Sequence, residues 1–337
     1  MKKAIALLLA LALVGGAVFA QELKFSGYLD TGIAIFDSGV TDPTLGLWGD
    51  DSGTSTRFNL QAAYTNENVG ATARLRMQTV DTGSPTAAPT HSTVFVNRAF
   101  AWATMLDGKV KTVAGKLGDY TWASFGNDIG NFDTATGLQV QVMPIAGLNF
   151  GFFLPADGTV ADRALVEDAM KDIALGVEYV AEGIGAFRAG YDMSPADDSA
   201  MAYFSAKITA VENLVIIVDA QMSNMGNDVT GKTYLFEEID YTMDALNVGI
   251  DLEQTLFAND AKEMKLMFGP YVSYDMGTFI PGFVFQYTMQ DDLSGMYLNP
   301  YVKYNVGPKA VIELGGKINS GDFDEDARYY ASYTWSF

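Results

Sequence analysis

Apolar and polar positions alternate along most of this chain. In Val69-Gly70-Ala71-Thr72-Ala73-Arg74-Leu75-Arg76-Met77-Gln78, the odd positions are apolar and the even ones small or polar. A helical period would carry Arg74 and Leu75 to other faces, so the segment predicts a strand. Leu246-Asn247-Val248-Gly249-Ile250-Asp251-Leu252-Glu253 repeats the pattern, with carboxylates on the polar face. Phe279, Pro281, Phe283, Phe285, Tyr287 and Met289 form one face of a third segment, opposed by Gly282, Gln286 and Thr288. Between Asn97 and Ala103 the alternation blurs, and the pattern does not say which face is outside.

The alternation predicts 18 strands, the first nine near 23–36, 55–65, 69–79, 94–104, 109–117, 137–143, 148–154, 173–180 and 185–193. The other nine lie near 200–208, 214–222, 233–243, 246–254, 264–274, 279–289, 295–305, 310–319 and 327–337, and merging one doubtful hairpin would leave 16. Short links such as Asn66 to Asn68, Asp107-Gly108, Pro144 to Gly147 and Ala181 to Ile184 alternate with long ones at 37–54, 80–93, 118–136 and 155–172. The last of these could hold a short helix around Ala164 to Met170. A soluble sandwich also alternates, because one face meets a core. Here many strands have the roughly nine to eleven residues that a tilted strand needs to cross a bilayer. Their polar faces carry charged, amide and glycine residues, which suits a wet interior. The fold class is therefore all-β: a closed antiparallel transmembrane barrel, with short turns at the periplasmic end and long loops outside.

Composition agrees. Hydrophobic residues make up 49% of the chain, yet no long apolar run follows the N-terminus. A barrel disperses its lipid-facing residues in this way, since each strand shows only alternate side chains to the membrane. Met1-Lys2-Lys3, the apolar run Ala4 to Val14, and Val18 and Ala20 before Gln21 have the form of a cleaved secretory leader. Two regions are thus expected: a signal peptide over 1–20 and a barrel over 21–337, located in a bacterial outer membrane and facing its lipids. Once Lys2 and Lys3 are removed, 19 basic residues face 41 acidic ones, a formal charge of −22. That excess argues against nucleic acid as a partner. Cysteine is absent, so neither disulfides nor thiolate sites hold the fold.

In the final segment Tyr329, Ala331, Tyr333, Trp335 and Phe337 share one face, opposed by serines and a threonine. This ending resembles that of the outer-membrane β-barrel family, whose terminal aromatics are read by the barrel-assembly machinery. The resemblance gives Tyr333, Trp335 and Phe337 the role of an assembly signal. Asn97-Arg98-Ala99-Phe100-Ala101-Trp102, then Leu106-Asp107-Gly108-Lys109-Val110 and Ala114-Gly115-Lys116-Leu117-Gly118, are similar to a passage of the Gram-negative general porins. Lys116 stands where that family has arginine. The resemblance implies a homotrimer and a third external loop, 118–136, folded into the pore.

An enzyme reading finds little support. His91 is the one histidine, placed by the pattern in a connection among Pro89, Thr90 and Ser92. A Ser-His-Asp triad would depend on it alone. No carboxylate pair stands out from the general acidity, so no metal and no cofactor is expected. The cations are more telling. Four of the seven arginines, Arg57, Arg74, Arg76 and Arg98, fall with Lys116 in strands two to five at similar heights. Their polar parity points them inward as a basic wall. The third loop offers Asp119, Asp128 and Asp133 to face it, with Tyr120, Trp122, Phe125 and Phe132 as anchors. The expected function is passive diffusion of small hydrophilic solutes and ions past these charges. A substrate-selective, sugar-type channel and a closed-lumen surface protein are the alternatives.

Overall fold

The computed structural model describes residues 23–39, 42–47, 54–80, 91–117, 122–126, 136–156, 173–192, 200–225, 230–257, 264–323 and 325–337. Ten strands fill the first half: β1 (Leu23–Asp37), β2 (Thr44–Leu47), β3 (Thr54–Asn66), β4 (Val69–Val80), β5 (His91–Met105), β6 (Val110–Lys116), β7 (Thr136–Ile145), β8 (Leu148–Pro155), β9 (Ala174–Ala181) and β10 (Gly185–Asp192). Nine follow: β11 (Met201–Ile208), β12 (Leu214–Ser223), β13 (Lys232–Met243), β14 (Leu246–Phe257), β15 (Lys265–Tyr274), β16 (Phe279–Gln290), β17 (Leu293–Gly307), β18 (Ala310–Gly321) and β19 (Ala327–Ser336). Each long strand pairs antiparallel with its neighbours in sequence, and β1 pairs with both β3 and β19, so 18 strands close into a ring. Among the described residues there is no helix. The expected leader 1–20, and the helix considered within 155–172, lie outside the described residues.

The eighteen predicted strands are the eighteen ring members. The sequence pattern did not indicate β2, a four-residue strand that pairs with Ile33–Phe36 of β1 inside the first long link. His91, expected in a connection, is the first residue of β5. The turn after β5 is built by Leu106, Asp107 and Gly108, all left-handed at φ 53°, 54° and 82°. Aspartate and glycine tolerate that conformation better than most residues.

The alternation sorts into two surfaces. Ile33, Val94, Phe150, Phe204, Phe268, Leu314 and Tyr329 belong to an outward apolar belt and are exposed. The inward face carries the charges, amides and glycines. It also carries aromatics, each lying over a glycine directly across the ladder: Trp102 on Gly70, Tyr203 on Gly190, Tyr271 on Gly249, Tyr301 on Gly282 and Tyr330 on Gly315. A Cβ on any of these glycines would fall on the ring. Aromatic bulk is thereby laid along the wall. Phe337 closes the ring. Its N–H donates to the Gly27 carbonyl at 3.0 Å, and the Gly27 N–H donates to its carbonyl at 3.1 Å.

Candidate functional site

The inward faces of β3, β4 and β5 bring four arginines together. Across β3 and β4, Arg57 pairs with Gln78, Asn59 with Arg76 and Gln61 with Arg74. Across β4 and β5, Arg74 stands opposite Arg98. Like charges in directly opposed positions repel, and the local structure answers with an amide. The register slips by one residue between Arg74 and Leu75, leaving Asn97 as an extra residue on β5. The Asn97 Oδ1 accepts hydrogen bonds from Nε of Arg74, at 2.6 Å, and from its guanidinium NH2. Asn59, itself buried, accepts from Arg76 Nε at 3.1 Å. The bulge also explains the blurred alternation. Val94 and Val96 face outward before it, and Ala99, Ala101 and Ala103 after it, so Arg98, Phe100 and Trp102 turn inward.

Lys116 does not join this group. The register sets it across from Ala99 on one side and Thr136 on the other. That face also carries Ala101 and Ala114, whereas Val113 and Trp102 oppose one another on the inward face. The simple count of polar positions failed here because the inward face of β6 carries Val113, which packs with Leu117 and Trp122.

Asp119, Asp128 and Asp133 lie outside the described residues. The structure places other carboxylates half a ring away from the arginines. Glu238 of β13 stands directly across from Asp251 of β14, with Asp240 and Glu253 on the same face. Tyr271 Oη donates to Asp240 at 2.9 Å, and Asn247 Nδ2 donates to its other oxygen at 2.7 Å. In the ring of 18, β4 and β13 are nine places apart, which is diametrically opposite. Heights agree as well. Arg74 and Arg76 lie five and seven residues up β4 from its short-turn end, and Asp251 and Glu253 five and seven up β14. The sequence displayed Asp251 and Glu253 on a shared polar face, but their position opposite the arginines emerges only when the strands are counted round a closed ring.

The described part of the third long connection, 122–126, runs across the inward faces of β8 to β13. Trp122 is fully buried at φ 63° and packs with Val113, Leu117, Phe153 and Ala174. Its indole fills the space above Gly151 and Gly176, which are cross-strand partners. The Ala123 carbonyl accepts from Arg188 at 2.8 Å, and that guanidinium lies 4.2 Å from the Phe125 ring centre. Arg188 is held in turn by Glu178 at 2.5 Å. The N–H of Phe125 donates to Ser205 Oγ and that of Gly126 to Asp219 Oδ2, both at 2.9 Å. Ser205 also donates to the second oxygen of Asp219. Trp122 and Phe125 thus occupy anchoring positions, while Tyr120 and Phe132 lie outside the described residues.

At the chain end, Tyr333 stands across from Thr31 and Ile312, on the face that also carries Trp335. The rings of Trp335 and Phe337 are 5.0 Å apart, and Phe337 stacks on Phe58 at 6.0 Å.

No protein-family model matches the chain, and no curated protein matches it in sequence. Solved structures do match. The loop L8 deletion mutant of OmpT, an outer membrane protein of Vibrio cholerae, shares 14% identity at a TM-score of 0.55, over 94% of this chain and 99% of that one. OpdK of Pseudomonas aeruginosa, solved with vanillate, shares 11% at a TM-score of 0.62, over 94% and 98%. A mutant of the Rh. blastica porin shares 14% at a TM-score of 0.53, over 94% and 100%. The fold is that of these barrels.

Proposed function

We propose that this chain is a passive diffusion channel for small hydrophilic solutes and ions in a bacterial outer membrane. The observation that carries the reading is the two-faced wall: an apolar belt outside, and four arginines opposite four carboxylates inside. Neither surface makes sense in a soluble barrel, where the outer belt would face water and the charges a core. The similar proteins are named as a porin and an outer membrane protein, which agrees with the proposed location. Neither a catalytic step nor a bound cofactor enters the reading.

Magnitudes favour a role for segment 122–126. Eighteen strands spaced about 4.8 Å apart and tilted by about 40° make a ring about 35 Å across at the backbone. Side chains reaching about 6 Å from each wall would still leave a gap of about 20 Å, well beyond a Debye length of about 8 Å at physiological salt. In so wide a lumen the facing charges would scarcely sense each other. In this reading the third connection fills part of the gap, and its Asp119, Asp128 and Asp133 bring negative charge toward the wall of Arg57, Arg74, Arg76 and Arg98. Lys116, on the outward face, is not part of that wall. The proposal also includes export by the leader 1–20, recognition of Tyr333, Trp335 and Phe337 by the barrel-assembly machinery, and a homotrimer. Swelling of liposomes holding the purified protein tests the channel: swelling in small sugars should slow as the sugar grows. Vesicles that behave like protein-free ones in every sugar would refute it.

A further inference from the structure

The outward face of the wall holds few charges. Among the described strand residues they are Asp37, Lys116 and Glu237, set by the parity of the apolar residues beside them. Asp37 ends β1, and its carboxylate accepts from the Gly39 N–H at 2.9 Å. Glu237 lies inside β13. Phe236 before it points inward, where its ring packs over Gly126, so Glu237 points out. It stands between Val218 of β12 and Leu252 of β14, and is exposed. Ile239 and Tyr241 continue the same face toward the short turn.

Its height matters. Two residues along a strand climb about 5 Å at a tilt of about 40°. Exposed Tyr241 suits the aromatic girdle at the short-turn end, and Glu237 stands about 10 Å above it, within an apolar band about 25 Å tall. No hydrogen bond or ion pair reaches its carboxylate among the described residues. An acid at that depth is costly against lipid and calls for a donor. Lys116 lies at a matching height, six residues above Val110 as Glu237 is six above Met243. Around Lys116 the outward residues Ala73, Ala99, Ala101 and Ala114 are exposed and small, so a second wall can approach closely.

We infer that the outward faces of β13 and β6 form a contact between copies of this chain, in which Glu237 of one copy pairs with Lys116 of the next. Charge complementarity selects a second copy as the occupant: Glu237 gains a donor and Lys116 an acceptor. The bulkier face of Val218, Ile239 and Leu252 then seats on the alanines. Two Glu237 faces brought together would repel, so the contact is head to tail rather than two-fold. β6 and β13 are seven of eighteen places apart, about 140° round the ring, whereas a three-fold ring sets the directions to two neighbours about 60° apart. The contact is therefore separate from a trimer seam and joins copies into rows. The inference rests on the membrane placement in the channel reading, not on conduction.

The test is cross-linking of the full-length chain in the outer membrane of an expressing bacterium. The chain has no native cysteine, so introduced ones report alone. Ile239→Cys with Ala114→Cys leaves both charges in place, each cysteine lying two residues below its charge. Treated with a short bis-maleimide, this chain should give a ladder of dimers and larger species on denaturing gels. Either single variant should stay monomeric, and so should Ile239→Cys with Leu314→Cys, whose second cysteine lies on the outward face of β18. Adding Lys116→Glu should abolish the ladder, and adding Glu237→Lys as well should restore it. Membrane fractionation and heat-modifiable mobility show separately whether each variant is an inserted barrel, so a failure of the membrane reading is distinguishable. Inserted double-cysteine chain without a ladder would overturn the inference. So would dimers from Ile239→Cys alone, an equal ladder from the Leu314→Cys pair, or a ladder indifferent to the charge reversals.

Discussion

Truncating Trp122 should loosen the segment that crosses the inner wall while leaving the barrel folded. The indole is fully buried, and removal of such a side chain to alanine costs about 3–5 kcal/mol. Among the described residues the other tethers include three hydrogen bonds, from Arg188 to the Ala123 carbonyl and from the N–H groups of Phe125 and Gly126 to Ser205 and Asp219, and the contact of Arg188 with the Phe125 ring. Each hydrogen bond contributes about 1 kcal/mol net, or about 1.5–3 kcal/mol where the partner is charged. Trp122→Ala therefore removes about half of what holds the segment, all of it at one end. The left-handed backbone at residue 122 is disfavoured by roughly 1–2 kcal/mol for alanine too, so that end should loosen first. The strand ladder does not run through the segment, and the global fold should survive with a modest drop in Tm. In single-channel recordings the variant should show higher conductance and a noisier open level than the parent. Heat-modifiable mobility on gels would confirm an intact barrel. An intact variant with unchanged conductance and unchanged noise would refute the idea that Trp122 holds a pore-narrowing segment.

Charge, closure and packing give further tests. Arg74→Gln with Arg76→Gln should raise cation preference, while Glu238→Gln with Asp251→Asn should lower it, both read from reversal potentials under a salt gradient; no change in either pair would end the facing-charges account. Deleting Phe337 removes two ladder hydrogen bonds to Gly27 and the stack on Phe58. Export should continue while the folded, heat-modifiable fraction falls, and normal levels of folded barrel would count against the assembly role. Gly315→Val would drive its side chain into the Tyr330 ring, whose hydroxyl is tied to Glu313. Such overpacking costs about 1–3 kcal/mol, so thermal unfolding should shift downward, and parental stability would show that the aromatic cover is dispensable.

The strands were legible because a two-sided wall forces a period of two on each of them, as in Val69 to Gln78 and Leu246 to Glu253. Closure was expected from bilayer-length strands, polar faces suited to a wet interior and the alternation of short and long links taken together. The bulge at Asn97 was not, since one extra residue leaves both neighbouring runs locally regular and only reverses their relation. Lys116 was misplaced for another reason: the inward face of β6 is apolar where Val113 packs with Leu117 and Trp122. Trp122 and Phe125 could be picked out as anchors because large aromatics in a glycine-rich connection need a surface to cover. Their seat could not, because Gly151, Gly176 and Arg188 lie on three separate strands. Asp251 and Glu253 of β14 were visible as a shared face, but a sequence has no diameter, and opposition across the lumen exists only in the closed ring.

The proposed channel requires polar side chains around an open, charge-lined lumen. Insertion of the purified protein into a planar bilayer tests it most directly. The account predicts discrete current steps whose size grows with salt conductivity, with cation preference at low salt that weakens as salt rises and the distant acids are screened. Folded protein that inserts without current steps, or steps whose ion preference is indifferent to salt, would contradict it.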